Sequence, residues 1–204
     1  KESERGDEPY DRFRDRLIFP IAELSGRIIA FGGRILSKSE NAPKYLNSPE
    51  TPIYHKGDIL YGLNWSKSAI RREGSGLGVG GYMDYVSLAA RGIEHVVAGM
   101  GTAMTDAQAN LLARYTGKAL MLYDSDAAGL RATFRTADAL LQTGVHPLVV
   151  TLPAGEDPDS IVRGGGAEAL KPHLDAALDV IERKVQMLEE RGFFDDIEGV
   201  RRAL

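Results

Sequence analysis

Apolar and polar positions alternate in two different styles along this chain. Residues 16–20 and 27–31 are short β-rich runs, and Ser25-Gly26 between them is a tight-turn signal, so an antiparallel hairpin is expected, its second strand ending at Gly32-Gly33. Residues 37–57 are polar and carry Pro43, Pro49 and Pro52, which predicts an excursion without regular structure. Residues 64–72 have the spacing of a short helix. From Leu77 onward the pattern changes to alternating strands and helices. Strands are expected at 77–79, 96–98, 119–123 and 147–152. Helices are expected at 82–91 with Gly92 as C-cap, at 105–115 with Thr105 as N-cap, and at 127–142. After Pro153 no strand signal remains. Residues 167–191 read as helical with a break near Pro172, and Phe193-Phe194 opens a further helix. The pattern predicts an α/β fold: a mostly parallel sheet flanked by helices, preceded by a small β-rich subdomain and followed by a helical segment. The expected division is 1–72, 73–153 and 154–204.

Composition adds bounds. The 204 residues are 43% hydrophobic and 26% charged, as in ordinary globular domains. No apolar run is long enough for a transmembrane helix, and the charged start has no signal-peptide core. No membrane association is expected. Cysteine is absent, which excludes disulfides and cysteine zinc sites within these residues and suits a cytoplasmic location. The net charge of −4 is unevenly spread: residues 10–72 hold 11 basic against 6 acidic side chains, whereas residues 73–204 hold 12 against 19. A basic segment beside an acidic one hints at nucleic acid on one side and metal-binding carboxylates on the other, although two differently solvated surfaces would look the same.

The most pointed chemistry lies in Tyr123-Asp124-Ser125-Asp126-Ala127-Ala128-Gly129. An apolar strand delivers two aspartates at its C-terminal end, where α/β sheets place their ligands. Carboxylates so close repel without a cation, and hard oxygen donors suit Mg²⁺ or Mn²⁺; the alternative is that the pair merely caps the next helix. Asp84 follows the strand at 77–79, and Asp157 and Asp159 follow the strand ending at Leu152. In a parallel sheet all of these fall at one edge. Several carboxylates around two cations is the usual arrangement for in-line phosphoryl transfer.

A strand, then Glu-Gly in a turn, then a later Asp-x-Asp after an apolar strand is the Toprim pattern, and apart from that glutamate this chain resembles it. The wording of Asp11-Arg12-Phe13-Arg14-Asp15-Arg16, Phe31-Gly32-Gly33-Arg34, Pro43-Lys44-Tyr45-Leu46-Asn47-Ser48-Pro49-Glu50-Thr51 and His55-Lys56-Gly57 resembles the bacterial DnaG-type DNA primase family. So does that of Gly81-Tyr82-Met83-Asp84, Tyr123–Gly129 and Gly155-Glu156-Asp157-Pro158-Asp159. The blocks run in order from residue 11 to at least 163. The resemblance implies a nucleotidyltransferase core of the primosome that makes short RNA primers on a single-stranded DNA template from ribonucleoside triphosphates with Mg²⁺ or Mn²⁺. It further implies Asp84, Asp124 and Asp126 as catalytic and, with Asp157 and Asp159, metal-holding residues. Arg12, Arg14, Arg34, Lys44, Tyr45 and Lys56 would line the surface for DNA or nucleotide. By the same resemblance the chain is expected to be a monomeric fragment. A zinc-binding module would precede it, and contact with the replicative helicase would belong to a domain absent here.

One position departs from the family. Its turn reads Val-Val-Glu-Gly-Tyr-Met-Asp, whereas this chain reads Gly78-Val79-Gly80-Gly81-Tyr82-Met83-Asp84. Gly80 stands where the family keeps a glutamate placed as general acid/base or metal ligand. The catalytic group is lost, and impaired primer synthesis is the implied consequence. A non-catalytic Toprim module that binds metal, nucleotide or single-stranded DNA is the second reading. Another Toprim enzyme, a topoisomerase or nuclease, is a third, disfavoured by the primase-type block at residues 11–57. Gly76-Leu77-Gly78-Val79-Gly80-Gly81 also satisfies G-x-G-x-x-G, but no strand precedes it and no acidic residue closes one about 20 positions later, so a dinucleotide fold is not expected.

Overall fold

The computed structural model describes residues 10–37, 42–101, 103–124, 126–190 and 192–194. The chain divides after Lys56 into two compact units.

The first unit is a three-stranded antiparallel sheet: β1 (Arg16–Ala22), β2 (Ile28–Ile35) and β3 (Tyr45–Asn47), in the order β1-β2-β3. The expected hairpin is present, turning at Gly26 with φ 91°. Two expectations change. The second strand does not end at Gly32-Gly33 but runs through them to Ile35, because Gly33 admits the Phe13 ring: a Cβ there would lie 2.8 Å from Phe13 Cδ1. The polar excursion is not wholly irregular either, since Tyr45-Leu46-Asn47 pairs with Arg34-Gly33-Gly32. Three residues are too few to show alternation. A short 3₁₀ turn follows at Lys56–Asp58.

The second unit begins with α1 (Leu63–Glu73). It continues as β4 (Gly76–Val79), α2 (Tyr82–Ala89), β5 (Val96–Ala98), α3 (Asp106–Ala113), β6 (Lys118–Leu122), α4 (Ala127–Gln142) and β7 (His146–Val149). The last described elements are α5 (Pro158–Asp175), β8 (Leu178–Asp179) and α6 (Val180–Glu190). The sheet order is β5-β4-β6-β7-β8, parallel except for β8. Leu77, Val79, Val96, Val97, Met121 and Leu122 are fully buried, the continuous apolar signature of strands covered on both faces. On α4 the buried positions Thr133, Thr136, Ala137 and Leu140 fall at helical spacing. Thr105 caps α3 as expected, accepting the Gln108 N–H at 3.1 Å.

The helical segment differs most from expectation. Its first helix starts at Pro158, not 167, because Asp157 and Ser160 form a capping box and Pro158 occupies the first turn. The break lies at Gly166 (φ 68°, ψ −164°), and Pro172 is carried inside α5. The two-residue β8 pairs with β7 although it left no strand signal. Gly192, Phe193 and Phe194 form turns, and the rest of the helix expected there lies outside the described residues.

Candidate functional site

Strands β4 and β6 are parallel neighbours with Val79 opposite Leu122, so they end level with one another. The connection from β4 leads to β5 on one side, and that from β6 leads to β7 on the other. The crevice between such diverging connections, beyond the strands' C-terminal ends, is where α/β sheets bind ligands. Two turns meet there. From β4 the chain passes through Gly80-Gly81 into α2, and Asp84 Oδ2 accepts the Gly81 N–H at 3.1 Å. From β6 it passes through Tyr123-Asp124 into α4, whose first turn is capped by Asp126 Oδ1 accepting the Gly129 N–H at 2.7 Å. Gly129 is required by close approach: a Cβ would stand 2.0 Å from the Asp124 carbonyl oxygen. Behind them Tyr123 is buried, its phenol pushed up to about 12 by desolvation and lying 3.3 Å from Thr136 Oγ1.

The structure places each acidic residue of the sequence reading. Asp84, Asp124 and Asp126 follow adjacent strands at one sheet edge, with Asp124 and Asp126 exposed. Asp157, also exposed, caps α5 by accepting the Ser160 N–H at 2.7 Å. Asp159 is different. Its Oδ1 accepts the Ser87 hydroxyl from α2, and its Oδ2 pairs with Arg163. Sequence reasoning missed Ser87 and Arg163, although Ser87 lies three residues after Asp84 on one face of α2 and Arg163 four after Asp159.

These donors suit a hard cation. Among the described residues no three acidic or histidine side chains are gathered into a closed cluster. Mg²⁺ does not require one: it keeps several waters and takes one or two carboxylates plus substrate phosphates. Asp124 and Asp126, exposed at a strand end, offer that kind of open site.

Gly80 sits in the middle of this edge, its carbonyl accepting the Gly101 N–H at 2.7 Å. Its backbone is not left-handed, and a Cβ would meet only Asp84 Oδ2 at 3.7 Å and the Tyr123 ring at 3.8 Å, both ordinary contacts. A Cβ is therefore accommodated at this position without strain. At Gly78 a Cβ would come within 2.8 Å of Met104 Cε, the flexible end of the side chain that fills this space. The glycine-rich motif itself is no phosphate loop, since Gly76 and Gly78 lie inside β4.

In the first unit Arg34 and Tyr45 are direct cross-strand partners, and the Arg34 guanidinium and Lys44 ammonium lie 6.0 and 5.9 Å from the Tyr45 ring centre. Tyr45 is exposed. Arg12 donates to the Asn47 carbonyl at 3.2 Å, and Arg14 donates to the Asp11 carbonyl while lying over the Tyr10 ring. The Lys56 amide donates to Glu50 at 3.1 Å. Arg16, not singled out in the sequence, ties the sheet together through the Gly33 and Pro43 carbonyls.

Fold and site together define a Toprim-type α/β unit joined to a basic antiparallel sheet. Family comparison gives the same two parts: residues 1–67 match the family described as DNA primase catalytic core, N-terminal domain, and residues 79–162 match Toprim-like. The chain is 45% identical over 193 residues to the DNA primase of Clostridium acetobutylicum, covering 94% of this chain and 32% of that protein. It is 45% identical over 168 residues to that of Pseudomonas aeruginosa, covering 81% and 25%. A crystal structure of a DNA primase domain from Pseudomonas aeruginosa superposes with a TM-score of 0.88 at 40% identity, over all of this chain and 64% of that one. A structure described as the DnaG primase catalytic domain bound to single-stranded DNA gives 0.85 at 38% identity, over 100% and 66%. The chain belongs to the bacterial DnaG-type primase family and corresponds to part of its catalytic core. It spans about a third or less of the length of these two curated relatives.

Proposed function

We propose that this chain is the catalytic part of a DNA primase that makes short RNA primers on single-stranded DNA by nucleotidyl transfer. The observation that carries the reading is the meeting of the Asp84 turn and the Asp124–Asp126 turn at the level ends of β4 and β6. Asp124 and Asp126 hold Mg²⁺ or Mn²⁺, with Asp84 and Asp157 as further donors. When bound, the cations neutralise charge on the triphosphate and on the transferring phosphoryl oxygens. The protein positions these groups through helix caps: Asp84 and Asp126 each spend one oxygen on their own helix N-terminus, which holds the carboxylate orientation before substrate arrives. Residues 1–72 supply the template surface, 73–153 the Toprim site and 154–204 the flanking helices. In the first, Tyr45 offers a stacking face for a base while Arg34 and Lys44 beside it meet phosphates. Ribonucleoside triphosphates, single-stranded DNA and, through a domain outside this chain, the replicative helicase are the partners of this reading, and the cytoplasm its location. Among the described residues no helix is long and apolar enough to cross a membrane.

Gly80 removes a group that would act at the reacting phosphate. Binding of metal and DNA is retained, and the chemical step is slow. Mn²⁺ titration followed by electron paramagnetic resonance tests the site. The wild type should bind, and Asp124→Ala/Asp126→Ala should lose the binding; equal affinity in both proteins would sink the assignment.

A further inference from the structure

Asp159 does something other than its neighbours at this edge. Both of its oxygens are engaged, one by the Ser87 hydroxyl and the other by the Arg163 guanidinium. Ser87 is only 6% exposed, and its carbonyl accepts from Arg91 at 3.1 Å, so the residue is fixed within α2. A serine in a helix interior commonly turns its hydroxyl back to its own backbone. Here it reaches across to α5, which packs along α2. The leading piece of α5 is short, because the left-handed Gly166 ends it after two turns. Only Pro158 and Val162 are buried along that piece, so an added charge-assisted hydrogen bond is a large share of what docks it.

We infer that Asp159 is a positioning residue rather than a metal ligand: through Ser87 it locks the first turns of α5 onto α2, and so sets Asp157 against Asp84. The geometry follows from helix spacing. Ser87 lies on the face of α2 that meets α5, and Asp84 is one helical turn before it. Asp159 is two residues beyond the capping Asp157. Fixing Asp159 to Ser87 therefore fixes where the α5 cap sits relative to α2. Arg163, one helical turn further along α5, neutralises the oxygen that Ser87 does not use. This inference rests on the assignment of Asp84 and Asp157 to the reaction site.

The test uses Ser87→Ala, Asp159→Ala, Asp159→Asn and the Ser87→Ala/Asp159→Ala pair, with two readouts on the whole chain. The first is hydrogen exchange of the amides of residues 161–165. Loss of the shared bond should raise their exchange by about tenfold to a hundredfold in Ser87→Ala and in Asp159→Ala, with no further rise in the double variant. Asp159→Asn keeps an acceptor for the hydroxyl but loses the charge assistance, and should fall between Asp159→Ala and wild type. The second readout is Mn²⁺ affinity. It should weaken by the same several-fold factor in Ser87→Ala, which removes no candidate ligand, and in Asp159→Ala, and should be partly restored in Asp159→Asn. Wild-type exchange in Ser87→Ala would overturn the lock. Mn²⁺ binding abolished equally in Asp159→Asn and Asp159→Ala, but unchanged in Ser87→Ala, would make Asp159 a ligand and overturn the inference. If the wild type binds no Mn²⁺, the metal assignment fails by itself, and the exchange readout still decides whether the lock exists.

Discussion

Gly129 shows how closely a single residue is tied to this site. The Asp124 carbonyl passes so near that an added Cβ would stand 2.0 Å from its oxygen, and backbone has to move to relieve such a contact. Gly129→Ala should cost about 1–3 kcal/mol, the usual range for overpacking, and should displace Asp124 as well. Its midpoint in urea is expected to fall at unchanged slope, with weaker Mn²⁺ binding; a variant with wild-type stability and affinity would contradict the close approach. Asp126 has a cap role in the structure and a proposed metal role, and substitution can separate them. Asp126→Ala removes the acceptor for the Gly129 N–H as well as a proposed metal donor, and the lost cap alone is worth about 1 kcal/mol. Asp126→Asn keeps the cap and loses the charge. Both should weaken Mn²⁺ binding, but only the alanine variant should lower the melting temperature. Equal melting temperatures would show that the cap contributes nothing to folding.

At the scale of elements, legibility followed length and periodicity. Helix α4 was readable over its full extent because sixteen residues repeat their buried face several times, and β5 because Val96-Val97-Ala98 is wholly apolar between polar ends. Strands β3 and β8 were not, since three and two residues carry no period. The start of α5 was hidden because its cap, Asp157-Pro158-Asp159-Ser160, reads equally well as a polar turn. The candidate site was legible as far as it depends on parallel strands, whose C-terminal carboxylates must fall at one edge. The engagement of Asp159 was not, because it depends on which face of α2 meets α5. One element also carries a pH signature. His95, leading into β5, has its imidazole held below the ordinary value, first by burial and then against the opposing effect of Glu73. The unfolded chain therefore binds the proton more readily, and this contribution to stability is full above about 6.5 and declines as pH falls below it. Denaturation of His95→Asn should show a shallower loss of stability between pH 7 and 5 than wild type; parallel curves would rule His95 out as the source.

Across the whole molecule, the residues proposed for nucleic acid and those proposed for metal fall in different units. The basic sheet places Arg34 and Lys44 beside the Tyr45 ring, and the acidic edge belongs to the Toprim unit. Single-stranded DNA affinity should therefore fall with salt, and Arg34→Ala or Lys44→Ala should each reduce the slope by about 0.7 per lost phosphate contact. An unchanged slope in both variants would remove the first unit from the template surface. If this is a primase core short of one catalytic group, returning that group should return the chemical step. The backbone at Gly80 admits a Cβ, whose nearest heavy atom would stand 3.7 Å away. The direct measurement is primer synthesis by Gly80→Glu against wild type, in the full-length protein, with DNA affinity measured in parallel. Regaining an acid/base group should raise the rate by about 10²–10⁴ and leave affinity nearly unchanged. No gain in synthesis, with Mn²⁺ binding still dependent on Asp124, would contradict the account and make this a binding module.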